Sequence, residues 1–242
     1  MTRPPITAAL LDVGGTLWPD GWPWLPEDHQ TRTDRLRQAL PGLEPASAAR
    51  LLAALDASAD RLAHSLEQDP AVYVGEPLRD HGIEPTPERV AAVIDAMCLP
   101  AKRLVELLPG ARELLRTVKR LGLRSVIVSN TYWRTAGAYL RDFEDLGVAQ
   151  DIDAIVSSAD VGFRKPHPAV FEAAVAAAGV PAAECVMVGN SEPNDVVAPR
   201  ALGIRAIRVA IQEPLPSSSQ ADAVTDSLEQ VADLLRSWVA AP

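Results

Sequence analysis

The chain has 242 residues, of which 48% are hydrophobic, so it can bury one large core or divide into a core and a smaller companion domain. We expect two domains of unequal size. With 23 basic and 32 acidic residues the net charge is −9, which repels phosphodiester backbones and anionic lipid. This charge disfavours nucleic-acid and membrane partners and leaves a small molecule as the expected partner.

The two cysteines, Cys98 and Cys185, are far apart in the sequence, and Cys185 lies inside an apolar run. This placement favours two reduced thiols that pack as small hydrophobic side chains, as in a reducing compartment. Residues 1–5 lead into a strand without the apolar stretch of a signal peptide, and no segment approaches the ~20 apolar residues of a membrane span. We therefore expect a cytoplasmic protein.

The first predicted strand covers residues 7–13 and is followed by two glycines and a threonine. A short apolar run bounded by glycine is typical of a buried strand, and a carboxylate at its carboxyl end points into the crevice where open α/β sheets bind ligands. Asp12 is therefore the first catalytic candidate. Taken alone, the same residues are equally consistent with a β-turn that happens to contain an aspartate.

Residues 18–26 contain three prolines and three tryptophans and cannot form a regular helix. They form either a hinge or a wall of aromatic rings packed between domains. Residues 27–40 have few apolar and many charged side chains. We interpret the whole stretch of residues 18–100 as a helical insertion.

Within this insertion, residues 45–66 and 86–97 have apolar positions at helical spacing and are predicted to be helices. Between them, we expect residues 69–76 to form a loop that reaches the active site. His64 and His81 are more typical of surface positions or helix ends than of ligands.

Beyond Pro109-Gly110 the pattern alternates between helices and strands. Helices are predicted at residues 111–121, 133–146, 169–178 and 195–202, and strands at residues 124–129, 152–157, 185–188 and 204–209. After a loop at residues 214–220, residues 223–239 supply a last short strand and an amphipathic helix. Strands that alternate with helices imply right-handed crossovers and a parallel sheet covered on both faces.

Four polar stretches follow predicted strands or precede a predicted helix. They are DVGGT (12–16), SNT (129–131), GFRKPHP (162–168) and GNSEPND (189–195). In this order they resemble the motifs of the haloacid dehalogenase-like (HAD) superfamily, in its helical-cap (C1-type) branch, over nearly the whole chain. The resemblance implies an α/β fold with a Rossmann-like core at residues 1–17 and 101–242, whose parallel sheet lies between helices, and an inserted helical cap domain at residues 18–100.

The resemblance also implies a phosphatase that acts on a small phosphorylated metabolite. Asp12 would attack phosphorus to form an aspartyl-phosphate intermediate, which splits one difficult step into two. Lys165 would bind the substrate and neutralise both its charge and that of Asp12. Ser129, Asn130 and the backbone of Gly15 would donate hydrogen bonds to the phosphoryl oxygens.

The expected cofactor is Mg²⁺, held by Asp12, the backbone carbonyl of Gly14, and Asn190 or Asp195. Two of these positions depart from the family pattern. HAD phosphatases usually carry a second aspartate, the proton-transfer group, where this chain has Gly14, and their fourth motif commonly begins Gly-Asp where this chain has Gly189-Asn190. The activity is therefore expected to be attenuated or specialised.

General acid–base help is worth roughly 10²–10⁴-fold, so a substitute for the missing aspartate matters. Asp20, His29 and Glu192 are the nearest candidates in the sequence.

Two other functions remain open, a catalytically silent HAD-like binding protein and a 2-haloacid dehalogenase, which needs neither metal nor the second aspartate. A D-x-G-G-T sequence rather than D-x-Y-G-T, and a polar turn before Asp195 that suits a cation, favour the phosphatase. No motif indicates a particular substrate or oligomeric state.

Overall fold

The structure, a computed structural model, describes residues 4–21, 26–62, 65–101 and 106–239. At its centre lies a six-stranded sheet. Its strands are β1 Ala8–Leu11, β2 Arg124–Ser129, β3 Ala154–Ser157, β4 Cys185–Gly189, β5 Arg205–Val209 and β6 Ala223–Thr225. They are arranged in the order β3-β2-β1-β4-β5-β6, and every adjacent pair is parallel. The predicted parallel α/β sheet is confirmed.

β1 lies between β2 and β4, and all its residues are buried. In this register Leu11 is level with Ile127 of β2 and with Val188 of β4. The residues just beyond these positions leave the sheet at one edge, where the carboxyl ends of parallel strands meet. That edge brings together Asp12 and the segments that follow β2 and β4.

Five of the described helices that lie between β1 and β2 in the chain, at residues 26–97, pack around an apolar cluster of their own, and we call them the helical block. They are α1 Pro26–Ala39, α2 Pro45–Arg61, α3 Pro70–Tyr73, α4 Gly75–Asp80 and α5 Pro87–Met97. The two helices predicted from apolar spacing are α2 and α5. The predicted domain boundaries, after residues 17 and 100, stay a prediction.

The expected helical insertion contains one helix without an apolar pattern, α1, and one segment that was expected to be a loop. α1 forms where charged residues predominate, because some of them are buried with partners, as Arg32 is against Asp56 of α2. In a one-dimensional pattern such a residue is indistinguishable from a solvated one. The expected loop at residues 69–76 is wrong, since it forms α3 and the start of α4, and the Asp69 carboxylate caps α3 by accepting a backbone hydrogen bond at 2.8 Å. His81 lies at the end of α4, as expected.

Trp18 forms part of a wall of aromatic rings. Its ring stacks on Tyr139 and Phe143 with centroid distances of 5.7 and 5.5 Å, inside the apolar cluster that covers one face of the sheet. The other residues of this region on which an expectation was stated, Trp22 and Trp24, and also His64, lie outside the described residues.

In the part of the chain that the structure describes, six further α-helices follow the helical block. They are α6 Ala111–Arg120, α7 Ala136–Asp145, α8 Ser158–Val161, α9 Pro168–Ala178, α10 Ala198–Ala201 and α11 Leu228–Val239. Ala9 and Leu11 of β1 face α6, α7 and α11, whereas Ala8 and Leu10 face α9, as the alternation of a strand requires. Both faces of the sheet are covered. The predicted helix at 195–202 is a π-helical segment, Glu192–Val197, that continues into α10.

Cys98 and Cys185 are both buried and free, in agreement with the prediction of reduced thiols. Burial raises the pKa of both thiols, that of Cys185 to about 11, so both stay protonated near neutral pH. In the part of the chain that the structure describes, no helix combines the length and apolar character needed to cross a bilayer.

Candidate active site

Three charged side chains meet at the carboxyl edge of the sheet, and we call Asp12, Lys165 and Asp195 the charged triad. The Lys165 ammonium donates hydrogen bonds to Asp12 Oδ1 and to Asp195 Oδ1, both at 2.7 Å, and to the backbone carbonyl of Val128 at 3.0 Å. Their exposed fractions are 7% for Asp12, 4% for Lys165 and 1% for Asp195. Residues far apart in sequence thus share one buried site.

The opposite charges of the charged triad stabilise one another, although burial disfavours each charge. Burial alone lowers the pKa of Lys165, but the carboxylates of Asp12 and Asp195 raise it by more, so the ammonium stays protonated. Burial raises the pKa of the Asp195 carboxyl, and the neighbouring Lys165 ammonium opposes that rise. Because two carboxylates face one ammonium, the group attracts a further cation.

The turn after β4 positions Asp195. Its carboxylate accepts a hydrogen bond from the Ser191 backbone N–H at 3.0 Å. A Cβ on Gly189 would lie only 2.4 Å from Asp195 Cγ, so the close approach of the carboxylate requires a glycine there. On the other side of the charged triad, the Thr16 hydroxyl donates to Asp12 Oδ2 at 3.2 Å.

Ser129 and Asn130, the predicted phosphoryl-oxygen donors, stand at the end of β2 beside the charged triad. The Asn130 amide accepts from the Lys165 backbone N–H at 2.7 Å and donates to the Lys165 carbonyl at 2.9 Å. The Ser129 hydroxyl pairs with the Tyr139 hydroxyl at 2.7 Å. Asn130 therefore holds the backbone of the lysine loop, and the substrate-binding roles of both residues stay predictions.

The glycine turn after Asp12 has two different glycines. Gly15 has a φ of +71°, and a Cβ there would lie 2.2 Å from the Asn190 amide nitrogen, so both conformation and space require glycine. Gly14 is not in the left-handed region, and its nearest neighbour, at 3.1 Å from an added Cβ, is Asp20 Oδ1. Asn190, one of the two residues proposed beside Asp12 as a metal ligand, thus turns its amide nitrogen toward Gly15.

A cavity of about 390 Å³ opens beside this edge. Gly14, Ser129 and Asn130 line it on the side of the charged triad. Among the residues that line the rest, Trp18, Asp20 and Arg164 belong to segments that were singled out from the sequence, whereas Tyr132, Trp133 and Arg134 were not. The one sequence signal for these last three residues is adjacency, since they directly follow SNT (129–131).

The loops around the cavity are tied to the helical block. Arg164 lies 4.7 Å from the centre of the Tyr132 ring and donates to its hydroxyl at 2.7 Å. The Tyr73 hydroxyl, in α3, donates to the Tyr132 carbonyl at 2.8 Å, and Gln68 N–H donates to the Gly162 carbonyl at 2.8 Å. The helical block therefore borders the loop that carries Lys165.

Comparisons with known proteins agree with this architecture. A family model for haloacid dehalogenase-like hydrolases matches residues 6–203. The chain is 33% identical over 108 residues to haloacid dehalogenase-like hydrolase domain-containing protein 3 of Xenopus laevis, which is 45% of this chain and 43% of that protein. It is 26% identical over 173 residues to ribulose-1,5-bisphosphate 5-phosphatase of Halopiger xanaduensis, 68% of this chain and 71% of that protein. The match to the Xenopus laevis protein thus spans less than half of that relative's length.

Two solved structures share the fold. A HAD phosphatase from Thermococcus onnurineus superposes with a TM-score of 0.56 at 19% identity, covering 95% of this chain and 98% of that one. L-2-haloacid dehalogenase from Xanthobacter autotrophicus gives a TM-score of 0.56 at 20% identity, covering 96% and 98%. The fold is thus common to a phosphatase and a dehalogenase. Because the family model covers most of the residues, this chain belongs to the haloacid dehalogenase-like hydrolase family.

Proposed function

We propose that this chain is a Mg²⁺-dependent phosphatase that hydrolyses a small phosphomonoester through an aspartyl-phosphate on Asp12. The observation that carries the proposal is the charged triad, in which two buried carboxylates flank one ammonium beside a cavity of about 390 Å³. A cavity of this size suits a small phosphorylated metabolite. The relative from Halopiger xanaduensis, named for a bisphosphate phosphatase, supports the same reaction class.

The proposed reaction consists of two successive displacements at phosphorus. An Asp12 carboxylate oxygen attacks phosphorus, and the bond from phosphorus to the ester oxygen breaks. The ester oxygen leaves with the bonding electron pair and takes up a proton to become an alcohol, and the attacking water of the second step returns that proton. Water then attacks the same phosphorus, and the bond to Asp12 breaks, which releases phosphate and restores the carboxylate. Throughout, the Lys165 ammonium neutralises charge on Asp12 and on the phosphoryl group, and it does so inside a buried, poorly screened site.

The donors at the charged triad fit a hard divalent cation. Among the residues that the structure describes, no three His, Cys, Asp or Glu side chains form a metal cluster. Mg²⁺ does not need one, because it is usually held by one or two carboxylates and completes its shell with waters and phosphate oxygens. Asp12, Asp195 and the Gly14 carbonyl would hold it. When bound, it would polarise and orient the phosphoryl oxygens.

The second buried carboxylate favours phosphoryl transfer over carbon attack. A dehalogenase displaces halide with one aspartate and needs no cation, whereas Asp195 adds a carboxylate whose burial is costly. A site that retains this charge beside the nucleophile suits a metal-assisted reaction. A silent binding protein would keep the same geometry without turnover, so the distinction is experimental.

The test is phosphate release from a panel of small phosphomonoesters, including 4-nitrophenyl phosphate, with Mg²⁺ and with EDTA. We expect Mg²⁺-dependent release in the parent protein and a loss of about 10⁴-fold or more in Asp12→Asn. Asp153→Asn is the matched control, because Asp153 lies at the opposite, amino-terminal edge of the sheet, where it pairs with Lys119 and Arg124. It should keep its activity.

Three results would contradict the proposal. Release that survives Asp12→Asn would remove the nucleophile. Halide release from 2-chloropropionate without phosphatase activity would assign the chain to the dehalogenases. Binding of phosphorylated compounds without any turnover would indicate a binding protein.

A further inference from the structure

The glycine at position 14 leaves the site without the proton-transfer carboxylate expected there, and a different carboxylate stands at that place. Asp20 Oδ1 lies 3.1 Å, and Asp20 Cγ 3.9 Å, from the point where a Cβ on Gly14 would be. An aspartate at position 14 would project its own carboxylate into this same space. Asp20 also lines the cavity together with Gly14 and Ser129.

The other two sequence candidates for this role lie elsewhere. Glu192 is held by three donors, which are Arg208 Nη1 at 3.0 Å, the Ser219 hydroxyl at 2.7 Å and the Gln220 backbone N–H at 2.7 Å. Glu192 therefore joins the segment after β4 to β5 and to the loop that follows β5. His29 is an exposed residue of α1 and does not line the cavity.

The segment that carries Asp20 is anchored by hydrogen bonds at Trp18 and at Asp20 itself. The Gly14–Trp18 turn closes through a hydrogen bond from Gly15 N–H to the Trp18 carbonyl at 2.8 Å. The Asp20 backbone N–H donates to Gln212 Oε1 at 2.9 Å, and its carboxylate accepts from the Gly21 N–H at 3.0 Å. Asp20 Oδ1 is thus hydrogen-bonded to the backbone of its own loop, and the residue is exposed to solvent.

We infer that Asp20 is the proton donor and acceptor of this enzyme, in place of the absent side chain at position 14. The inference rests on the proposed phosphatase activity. It extends the substrate range of that activity, because an enzyme with a proton donor hydrolyses alkyl phosphates, whose alkoxide leaving groups depart poorly, as well as activated aryl esters.

The proton balance follows both displacements. As Asp12 attacks phosphorus and the ester bond breaks, the Asp20 carboxyl gives its proton to the leaving oxygen, so that an alcohol departs and Asp20 becomes a carboxylate. Asp20 then takes a proton from the attacking water, whose oxygen bonds to phosphorus as the bond to Asp12 breaks. Phosphate leaves, Asp12 is again a carboxylate, and Asp20 is again protonated.

The leaving-group dependence of kcat/KM tests this role. With the parent, Asp20→Asn and the matched control Glu213→Gln, rates are measured on 4-nitrophenyl phosphate and on glycerol phosphate with Mg²⁺ present. We expect Asp20→Asn to lose about 10²–10⁴-fold on glycerol phosphate and less than about 10-fold on the aryl ester, since nitrophenolate leaves without a proton. Glu213, exposed on the loop next to Gln212 and paired with Arg208, should tolerate its change.

A double variant asks whether the carboxylate acts from this location. Gly14→Asp alone would press two carboxylates together and should give no gain, whereas Gly14→Asp combined with Asp20→Ala should recover at least about 10-fold over Asp20→Ala on glycerol phosphate. A double variant no better than Asp20→Ala contradicts the inference.

The remaining outcomes are also decisive. Equal losses on both esters in Asp20→Asn would mean that Asp20 is structural, and unchanged rates would mean that it is idle. A parent that hydrolyses the aryl ester but not glycerol phosphate has no proton donor, so the inference fails while the proposed function stands. A parent inert on every phosphomonoester removes the proposed function itself.

Discussion

The sheet and the helical block of this chain bury their charges in different ways. At the sheet edge, strand register alone sets Asp12 level with the ends of β2 and β4, and the charges that meet there belong to the candidate active site. In the helical block, Arg32 is also buried beside a carboxylate, yet it joins α1 to α2 and lies outside the cavity lining. Burial of an ion pair therefore does not by itself indicate chemistry, and at the sheet edge the indication is that Gly14, Ser129 and Asn130, the neighbours of the charged triad, line the cavity.

The comparison also separates two kinds of packing. The strands present continuous apolar residues to both faces, whereas the helical block meets the loops around the cavity through single contacts such as the one between Tyr73 and the loop after β2. We expect changes at the sheet edge to cost more than changes at the helical block. The predictions below run from the largest expected effect to the smallest.

Lys165→Met should be the most damaging change at the sheet edge. It leaves Asp12 and Asp195 buried without their shared cation, which costs about 3–5 kcal/mol in the free energy of unfolding, and it abolishes the proposed activity. Urea titration measures the cost. Lys119→Met, at an exposed lysine paired with Asp153, should cost no more than about 1 kcal/mol. A loss below 1 kcal/mol for Lys165→Met would show that the triad is not strongly coupled.

Trp18→Ala and Trp133→Ala compare the two regions directly. Trp18 is buried between Tyr139 and Phe143 on the sheet side, so its removal should cost about 3–5 kcal/mol. Trp133 is partly exposed and meets the helical block edge-on at Tyr73, so we expect about 1–2 kcal/mol. Both values come from urea unfolding. Equal costs would mean that the helical block packs as firmly as the sheet.

Gly15→Ala and Gly14→Ala probe the turn between the two regions. Gly15→Ala forces a positive φ on alanine and a clash with Asn190, and should cost about 1–3 kcal/mol. Gly14→Ala meets only the end of the exposed Asp20 side chain, which can move, so its cost should stay below about 1 kcal/mol. Thermal unfolding of the two variants gives the order, and the reverse order would place the strain at position 14 instead.

Most of the sheet was predictable because its signals are local. Buried strands appear as apolar runs, and the strand predicted at residues 124–129 is β2 to the residue. Glycine and proline mark the ends of α6 and the start of α9 in the same way. The sequence also assembled Asp12, Lys165 and Asp195 into one predicted site, and the structure places them within hydrogen-bond distance, although their catalytic roles remain to be measured.

Only the tertiary structure decided what surrounds that site. Apolar spacing does not mark α1, because Arg32 becomes a buried residue only once α2 supplies Asp56, and residues 69–76 become helical where they pack against the loop after β2. Asp20 was one of three equal candidates in the sequence. Its place beside Gly14 depends on a turn and on a hydrogen bond to Gln212, which is 192 positions away in the chain. Sequence periodicity determines elements, because it reflects local burial, while contacts of such long range exist only after the chain has folded.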